Sequence, residues 1–146
     1  MKSIKIVVIC SGNTCRSPMA EALLTKALEQ ETGAFEVVGA GLSSTGGGAG
    51  ANTILAMKKI DMDLSKYKSK KLTQRIINES VVVFCMAKEH LNSLKKLFSN
   101  VPSHCYLWRG FLGGLDEDVV DPFGCDLETY ITVRNSISEA IPSIVK

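Results

Sequence analysis

The feature that most constrains the fold is a run of β-branched apolar residues close to the start of the chain, at residues 4–9, interrupted only by Lys5. A run that is apolar on both faces is typical of a central strand in a parallel sheet, because helices cover both of its sides. The polar residues that follow predict a turn. Ser17 and Pro18 then predict a helix, with Ser17 as the N-cap and Pro18 at the first helical position.

Strands and helices continue to alternate along the chain. Further apolar runs predict strands at residues 35–40, 81–85 and 105–108. Apolar residues at helical spacing predict helices near 54–60, within 71–77, at 87–97 and from about residue 126, the last of which Pro142 should kink or end. Glycine-rich stretches predict loops at 41–50 and 109–120. The pattern predicts a single α/β domain over residues 1–146, with a parallel sheet covered by helices on both faces.

Composition narrows the function classes. With 146 residues, 45% of them hydrophobic, the chain can bury the core of one domain. A net charge of +2 argues against general nucleic-acid binding. The first apolar run is far too short for a signal peptide or a membrane span, which predicts a cytoplasmic protein without membrane contact. Five cysteines at spacings that fit no zinc pattern predict no metal site and raise the question of which cysteine is reactive.

The loop after the first predicted strand contains the candidate chemistry. Ligands of parallel sheets bind at the carboxyl ends of the strands, and a helix that begins there favours an anion such as phosphate. Gly12 and Asn13 tolerate positive φ, so the loop can curl with its N–H groups inward and favour the thiolate form of Cys10. Arg16 offers a planar fork for two phosphoryl oxygens, and Ser17 can donate its hydroxyl to the sulfur.

A purely structural interpretation of this loop is the alternative. Cys10 would then be a buried cysteine at a strand end, and Arg16 would be a surface residue. The strand before the loop, the Gly-Asn turn inside it and the Ser-Pro helix start after it are independent requirements of a phosphate site, and together they favour the functional interpretation. The glycine-rich nucleotide-binding loop is a different motif, and its Gly-Lys-Ser/Thr ending is absent.

Two motifs carry a resemblance to a known family. Residues 10–22, Cys-Ser-Gly-Asn-Thr-Cys-Arg-Ser-Pro-Met-Ala-Glu-Ala, closely resemble the active-site loop of low-molecular-weight protein tyrosine phosphatases, and Asp121-Pro122-Phe123-Gly124 resembles their second signature. Looser matches at Ala40-Gly41 and Asp63-Leu64-Ser65 extend the resemblance over nearly the whole chain. It implies a four-stranded parallel sheet with flanking helices, no metal or other cofactor, and a cysteinyl-phosphate intermediate. It also implies that the phosphoryl group binds to Ser11, Gly12, Asn13, Thr14, Cys15, Arg16 and Ser17.

Asp121 is the candidate general acid. Expulsion of the leaving group needs a proton donor, which can be distant in sequence. The Asp-Pro pair places a carboxylate on a rigid turn after residues 109–120, a glycine-bearing segment that is predicted to be mobile. An ordinary turn ahead of the last helix is the structural alternative, and the resemblance favours the catalytic role. Asp116, Glu117 and Asp118 are predicted to be solvated loop charges.

Thr14 and Phe123 bear on the substrate. Tyrosine-specific members of the family usually carry a bulkier aliphatic residue at the Thr14 position, whereas the subgroup that resembles bacterial protein-arginine phosphatases carries Thr there together with Asp-Pro-Phe-Gly. A small side chain at Thr14 leaves room for a guanidinium beside the phosphorus, and Phe123 would form an apolar wall against its plane. The resemblance therefore favours phosphoarginine of a protein as substrate and inorganic phosphate as product. Phosphotyrosine stays open as the alternative.

Two other classes are disfavoured by the sequence. Arsenate reductases share the fold and the loop, but they pass oxidation through two further cysteines on a mobile segment after the third strand. Here Cys85 lies inside a strand run, residues 86–97 contain no cysteine, and Cys105 and Cys125 lie in a different context. A non-catalytic phosphoprotein-binding module would have no need of the nucleophile Cys10.

Cys15 follows Cys10 by five residues, so a curled loop could bring the two sulfurs within bonding range. A nucleophilic thiolate near a second cysteine is a site for reversible disulfide formation, and family members with this pair are similar in that respect. Packing behind the loop is the alternative role for Cys15.

A monomer is expected.

Overall fold

The computed structural model of the protein describes residues 4–44, 46–98, 104–110 and 118–145. The elements alternate as predicted, with bounds that differ by a few residues. In chain order they are β1 (Ile4–Cys10), α1 (Arg16–Leu28), β2 (Phe35–Gly41), α2 (Ala51–Lys58), α3 (Gln74–Glu79), β3 (Val82–Cys85), α4 (Lys88–Leu97), β4 (Cys105–Leu107) and α5 (Leu127–Ile144).

The four strands form one parallel sheet in the order β2-β1-β3-β4, which confirms the predicted fold class. β1 is central and pairs with a strand on each side. Its residues Val7, Val8 and Ile9 are at most 1% exposed. Burial on both faces explains why this strand has no alternation of polar and apolar residues.

Two apolar layers flank the sheet. On one face, Met19 and Leu24 of α1 and Ile137 of α5 pack with Val8. The fully buried Trp108 belongs to this layer, and its indole N–H donates to the carbonyl of Ile137 at 2.9 Å. On the other face, Ile77 of α3 and Leu94 of α4 pack against Val7, Ile9 and Val83. The sheet is therefore held from both sides, and its strand ends have fixed positions.

Two local predictions need correction. α1 begins at Arg16 with Cys15 at the N-cap, so the prediction of Ser17 as the cap is wrong. The Ser17 hydroxyl contacts the Asn13 amide and the Cys10 sulfur instead of a backbone N–H. Of the two effects predicted for Pro142, a kink or an end of the last helix, the end is wrong, because α5 continues to Ile144.

The topology favours a ligand site beside β1. The chain goes from β1 to β2 on one side and then returns past β1 to β3 on the other, so the strand order reverses at β1. The carboxyl ends of these strands meet there, since Cys10 is in register with Gly41, and Ile9 with Cys85. Ligands of open parallel sheets bind at such a point.

Part of the sequence prediction concerns residues that the structure does not describe. Residues 111–117, including Asp116 and Glu117, lie outside the described part of the chain. Within the described residues, every helix is too short or too polar to traverse a bilayer.

Candidate active site

The loop between β1 and α1 forms the wall of a cavity of about 260 Å³ at the carboxyl edge of the sheet. The cavity brings together most of the predicted site residues, although Asp121 and Phe123 are more than a hundred residues from the loop. Its lining comprises Cys10, Ser11, Gly12, Thr14, Cys15, Arg16, Ser43, Asp121 and Phe123. Asn13 and Ser17 are fully buried behind this surface. Residues 10–17 are called the phosphate loop below.

Asn13 holds the phosphate loop in its curved shape. It has a φ of 56°, a left-handed conformation that Asn tolerates better than most residues. Its Oδ1 accepts the backbone N–H of Lys70 at 2.9 Å, which orients the amide so that Nδ2 donates to Ser17 Oγ at 2.7 Å. Its own carbonyl accepts the Ser69 hydroxyl at 2.6 Å. Asn13 Nδ2 also donates to the Tyr67 hydroxyl at 2.9 Å. The segment after α2 therefore supports the loop from behind.

The Cys10 sulfur receives two hydrogen-bond donors. The Asn13 backbone N–H lies 3.3 Å from Sγ, and the Ser17 hydroxyl lies 2.9 Å from it. Because Ser17 Oγ already accepts from Asn13 Nδ2, its own proton is available for the sulfur. This arrangement suits a thiolate, which accepts hydrogen bonds and cannot donate them.

Arg16 lies at the base of the cavity, where its side chain is 3% exposed. Nη1 donates to the carbonyl of Val119 at 2.9 Å, which fixes the plane of the guanidinium. Nη2 lies 3.7 Å from Asp121 Oδ2. The buried cation is thus anchored through one nitrogen, while the other faces the candidate acid.

Asp121 lies at the rim of the same cavity, with a side chain that is 52% exposed. Its Oδ1 accepts the Phe123 N–H at 3.1 Å, which closes the turn that the Asp-Pro pair predicts. The Phe123 ring is 77% exposed and lines the cavity next to it. The neighbouring Asp118 is not simply a solvated charge: it is partly buried, and its Oδ1 accepts the Lys88 N–H at 2.9 Å.

Thr14 and Cys15 lie where the first cavity adjoins a second one of about 450 Å³. The Thr14 carbonyl accepts the Gly50 N–H at 3.0 Å and the Thr53 hydroxyl at 2.9 Å, so the backbone anchors this part of the loop. The buried Cys15 sulfur lies 3.5 Å from the Tyr130 hydroxyl. The second cavity is lined by Thr14, Cys15, Gly50, Ala51, Asn52, Phe123, Gly124, Cys125 and Tyr130.

Sequence reasoning missed Ser43 and His90. Ser43 follows β2 and lines the cavity, and its N–H donates to the Ser11 carbonyl at 2.9 Å. His90 lies in the first turn of α4 with Nε2 3.1 Å from Ser11 Oγ. Both residues follow strands that neighbour β1, so the rule that sites gather at the carboxyl edge of a sheet could have identified them. Among the described residues, no group of three or more His, Cys, Asp or Glu side chains could hold a metal ion.

Comparison with known proteins gives consistent results. The sequence model of the low molecular weight phosphotyrosine protein phosphatase family matches residues 5–146. The protein-arginine-phosphatase of Bacillus subtilis (strain 168) is 30% identical over 97% of this chain and 94% of its own. Arsenate reductase 2 of Staphylococcus haemolyticus (strain JCSC1435) is 31% identical over 94% of this chain and 93% of its own.

Among solved structures, the low molecular weight protein tyrosine phosphatase from T. tengcongensis has a similar fold, with a TM-score of 0.89 and 29% identity over 98% of both chains. The names of these three relatives imply three different activities. Similarity alone therefore does not identify the substrate.

Proposed function

The chain belongs to the low molecular weight phosphotyrosine protein phosphatase family, and we propose that this protein phosphatase hydrolyses phosphoarginine residues of proteins with Cys10 as its nucleophile. One observation carries the proposal. The Cys10 sulfur, with donors from Ser17 and Asn13, opens onto the cavity that also contains Arg16 and Asp121. A nucleophile, an anion clamp and a proton donor thus line one space.

The chemistry follows from these positions. The Cys10 thiolate attacks phosphorus, which forms an S–P bond and breaks the P–N bond to the guanidino group. Arg16 and the N–H groups of the phosphate loop hold the equatorial oxygens, and Asp121 protonates the leaving nitrogen. Asp121 then accepts a proton from water as the water attacks phosphorus, and the Cys10 thiolate leaves with inorganic phosphate as the product. The Ser17 hydroxyl stabilises the thiolate at both ends of the cycle.

Thr14 and Phe123 support phosphoarginine over phosphotyrosine. Both line the catalytic cavity, and the small polar side chain of Thr14 leaves room there for a guanidinium beside the phosphorus. The exposed Phe123 ring offers a flat apolar face for a guanidinium plane. The acceptor oxygen of the protonated Asp121 carboxyl group can also accept an N–H of the same guanidinium.

Arsenate reduction is less well supported. Cys85 is fully buried within β3, and burial raises the pKa of its thiol, so it is poorly suited to disulfide exchange. Cys125 is exposed, but it follows the Asp121 turn and not the third strand. A residual arsenate-dependent turnover with thioredoxin would be the signature of this activity.

The decisive test is a side-by-side assay of one peptide phosphorylated on arginine and on tyrosine. We expect kcat/KM to be higher for the phosphoarginine peptide, and Cys10→Ser to hydrolyse neither. Good hydrolysis of phosphotyrosine with none of phosphoarginine would establish the tyrosine-specific alternative.

We also propose that Cys10 and Cys15 form a reversible disulfide. Both are free thiols that line the catalytic cavity. Oxidation of Cys10 by a peroxide to the sulfenic acid, followed by attack of the Cys15 thiol and loss of water, gives the disulfide. Mass spectrometry after mild peroxide should find this bond, with activity restored by dithiothreitol. Direct conversion of Cys10 to sulfinic acid would contradict it.

A further inference from the structure

His90 is a buried titratable residue that the mechanism above does not use. It is 1% exposed and lies in the first turn of α4, beside the carboxyl end of β3. Its Nε2 lies 3.1 Å from Ser11 Oγ and 3.5 Å from Arg16 Nη2. The ring therefore contacts both the phosphate loop and the buried cation.

The tautomer of His90 follows from its other nitrogen. The backbone N–H of Ala87 donates to Nδ1 at 3.0 Å, so Nδ1 carries no proton. In a neutral ring the proton is then on Nε2, where it donates to Ser11 Oγ. Arg16 Nη2, which can only donate, lies 3.5 Å from the same nitrogen, and a protonated Nε2 cannot accept a hydrogen bond from it.

The surroundings keep the ring neutral. Burial and then the charge of Arg16 lower the pKa of His90 to about 4, against smaller opposing effects of Asp121 and Asp118. The exposed Glu89 carboxylate lies 3.8 Å from Nε2. At neutral pH the ring therefore adds no second positive charge beside Arg16.

We propose that His90 is a positioning residue which, neutral and protonated at Nε2, leaves the Ser11 hydroxyl proton and the Arg16 Nη2 protons available to the phosphoryl group. Because Nε2–H occupies an acceptor site of Ser11 Oγ, the hydroxyl proton can turn toward the cavity. Because a protonated Nε2 cannot accept a hydrogen bond, it does not compete with the anion for the Arg16 Nη2 protons. This role rests on the proposed function of Arg16 as the phosphate clamp.

Two substitutions separate positioning from structure. In His90→Asn, Oδ1 can replace Nδ1 as the acceptor for Ala87, but nothing replaces Nε2–H. In His90→Gln, the amide can reach toward Ser11, but the acceptor for Ala87 is lost. We expect His90→Asn to keep its Tm and to weaken inhibition by inorganic phosphate about five- to tenfold, with most of the loss in KM for an activated aryl phosphate. His90→Gln should show the opposite pattern, with a lower Tm and phosphate inhibition closer to wild type.

A double-mutant cycle completes the test. If His90 acts in part through Ser11, the effect of His90→Asn on phosphate inhibition should shrink in a Ser11→Ala background. Wild-type phosphate inhibition in His90→Asn, or losses of inhibition and Tm in the same proportion in both His90 variants, would overturn the proposal. If Arg16 is not the phosphate clamp, a different result is expected: Arg16→Lys will leave the inhibition by inorganic phosphate unchanged.

Discussion

The phosphate loop and the acid segment, residues 118–124, both contribute to the lining of the cavity and are held to very different extents. In the loop, Asn13 and Ser17 are fully buried, and each side chain makes hydrogen bonds behind the cavity surface. In the acid segment, the Asp121 side chain is 52% exposed and Phe123 is 77% exposed. The segment is tied to the core chiefly through Val119, whose N–H donates to the Met86 carbonyl at 2.7 Å and whose carbonyl accepts from Arg16.

This difference indicates that the two segments serve different purposes. The proposed anion site is preorganised, because its donors cannot easily move once they are buried and bonded. The proposed acid lies on an exposed turn, which can adjust to leaving groups of different shape. Changes that disturb the buried support of the loop should therefore affect both stability and binding, while a change at the exposed Asp121 should affect chemistry with little effect on stability.

The largest effect is expected from Cys10→Ser. A serine cannot form an alkoxide at neutral pH, so kcat/KM should fall more than about 10⁴-fold. The remaining donors of the loop should keep the affinity for inorganic phosphate within about tenfold of wild type. Steady-state kinetics and calorimetry measure the two quantities. Cys105→Ser on β4 is the matched control and should retain wild-type turnover, whereas hydrolysis by Cys10→Ser would remove Cys10 as nucleophile.

Asp121→Ala tests the exposed acid segment. Loss of the general acid should reduce kcat by about 10²- to 10⁴-fold for substrates with poor leaving groups and much less for an activated aryl phosphate. Because the side chain is half exposed, the free energy of unfolding should change by less than about 0.5 kcal/mol. Equal losses across a series of leaving groups would count against the acid role.

Gly41→Ala tests the rigidity of the loop from behind. A Cβ at this position would lie 2.7 Å from the Gly12 carbonyl carbon and 2.8 Å from the Asn13 nitrogen, both backbone atoms of the loop. We expect a loss of about 1–3 kcal/mol in the free energy of unfolding, with weaker phosphate inhibition, because the loop must shift. Gly47→Ala is the control, since its Cβ would meet nothing within 4 Å. Similar behaviour of the two variants would show that the loop is not tightly supported.

A pH series tests the buried support of the phosphate loop at His90, whose ring contacts Ser11 and Arg16. The pKa of His90 is about 4 in the folded protein, against 6.5 ordinarily, so the unfolded chain binds the extra proton first as pH falls. The stability linked to neutral His90 is complete above pH 6.5 and is lost progressively toward pH 4. Between pH 7.5 and 5, wild type should lose about 2 kcal/mol more than His90→Asn in denaturant unfolding. Parallel curves would mean that His90 is not kept neutral by its site.

The smallest effect concerns Thr14, the residue of the phosphate loop that lines both cavities. If the guanidinium lies beside Thr14 as proposed, Thr14→Ile adds bulk at its position, while the Thr14 carbonyl keeps its bonds to Gly50 and Thr53. The kcat/KM for phosphoarginine should fall at least about tenfold, or about 1.4 kcal/mol, and activity toward an aryl phosphate should fall much less. A parallel drop in both activities would make Thr14 a structural loop residue.

Much of the fold was predictable because it depends on local signals. The apolar run of β1 predicted a central strand, and helical spacing predicted α4 and α5. Finer details were not predictable in this way. Ser17 looked like a helix cap from its neighbour Pro18, but its hydroxyl is used by Asn13 and Cys10, and this preference depends on a loop conformation that neighbouring segments impose.

The sequence by itself determined the strand–loop–helix unit and identified Cys10, Arg16 and Asp121 as candidates, because short motifs carry the chemistry of a phosphate site. Only the tertiary structure decided which distant groups complete it. His90 is 74 residues from Arg16, and Tyr67 is 54 residues from Asn13, so sequence spacing carries no record of these contacts. They arise because parallel strands bring their carboxyl ends to one edge, where the segments that follow β2 and β3 pack against the loop that follows β1.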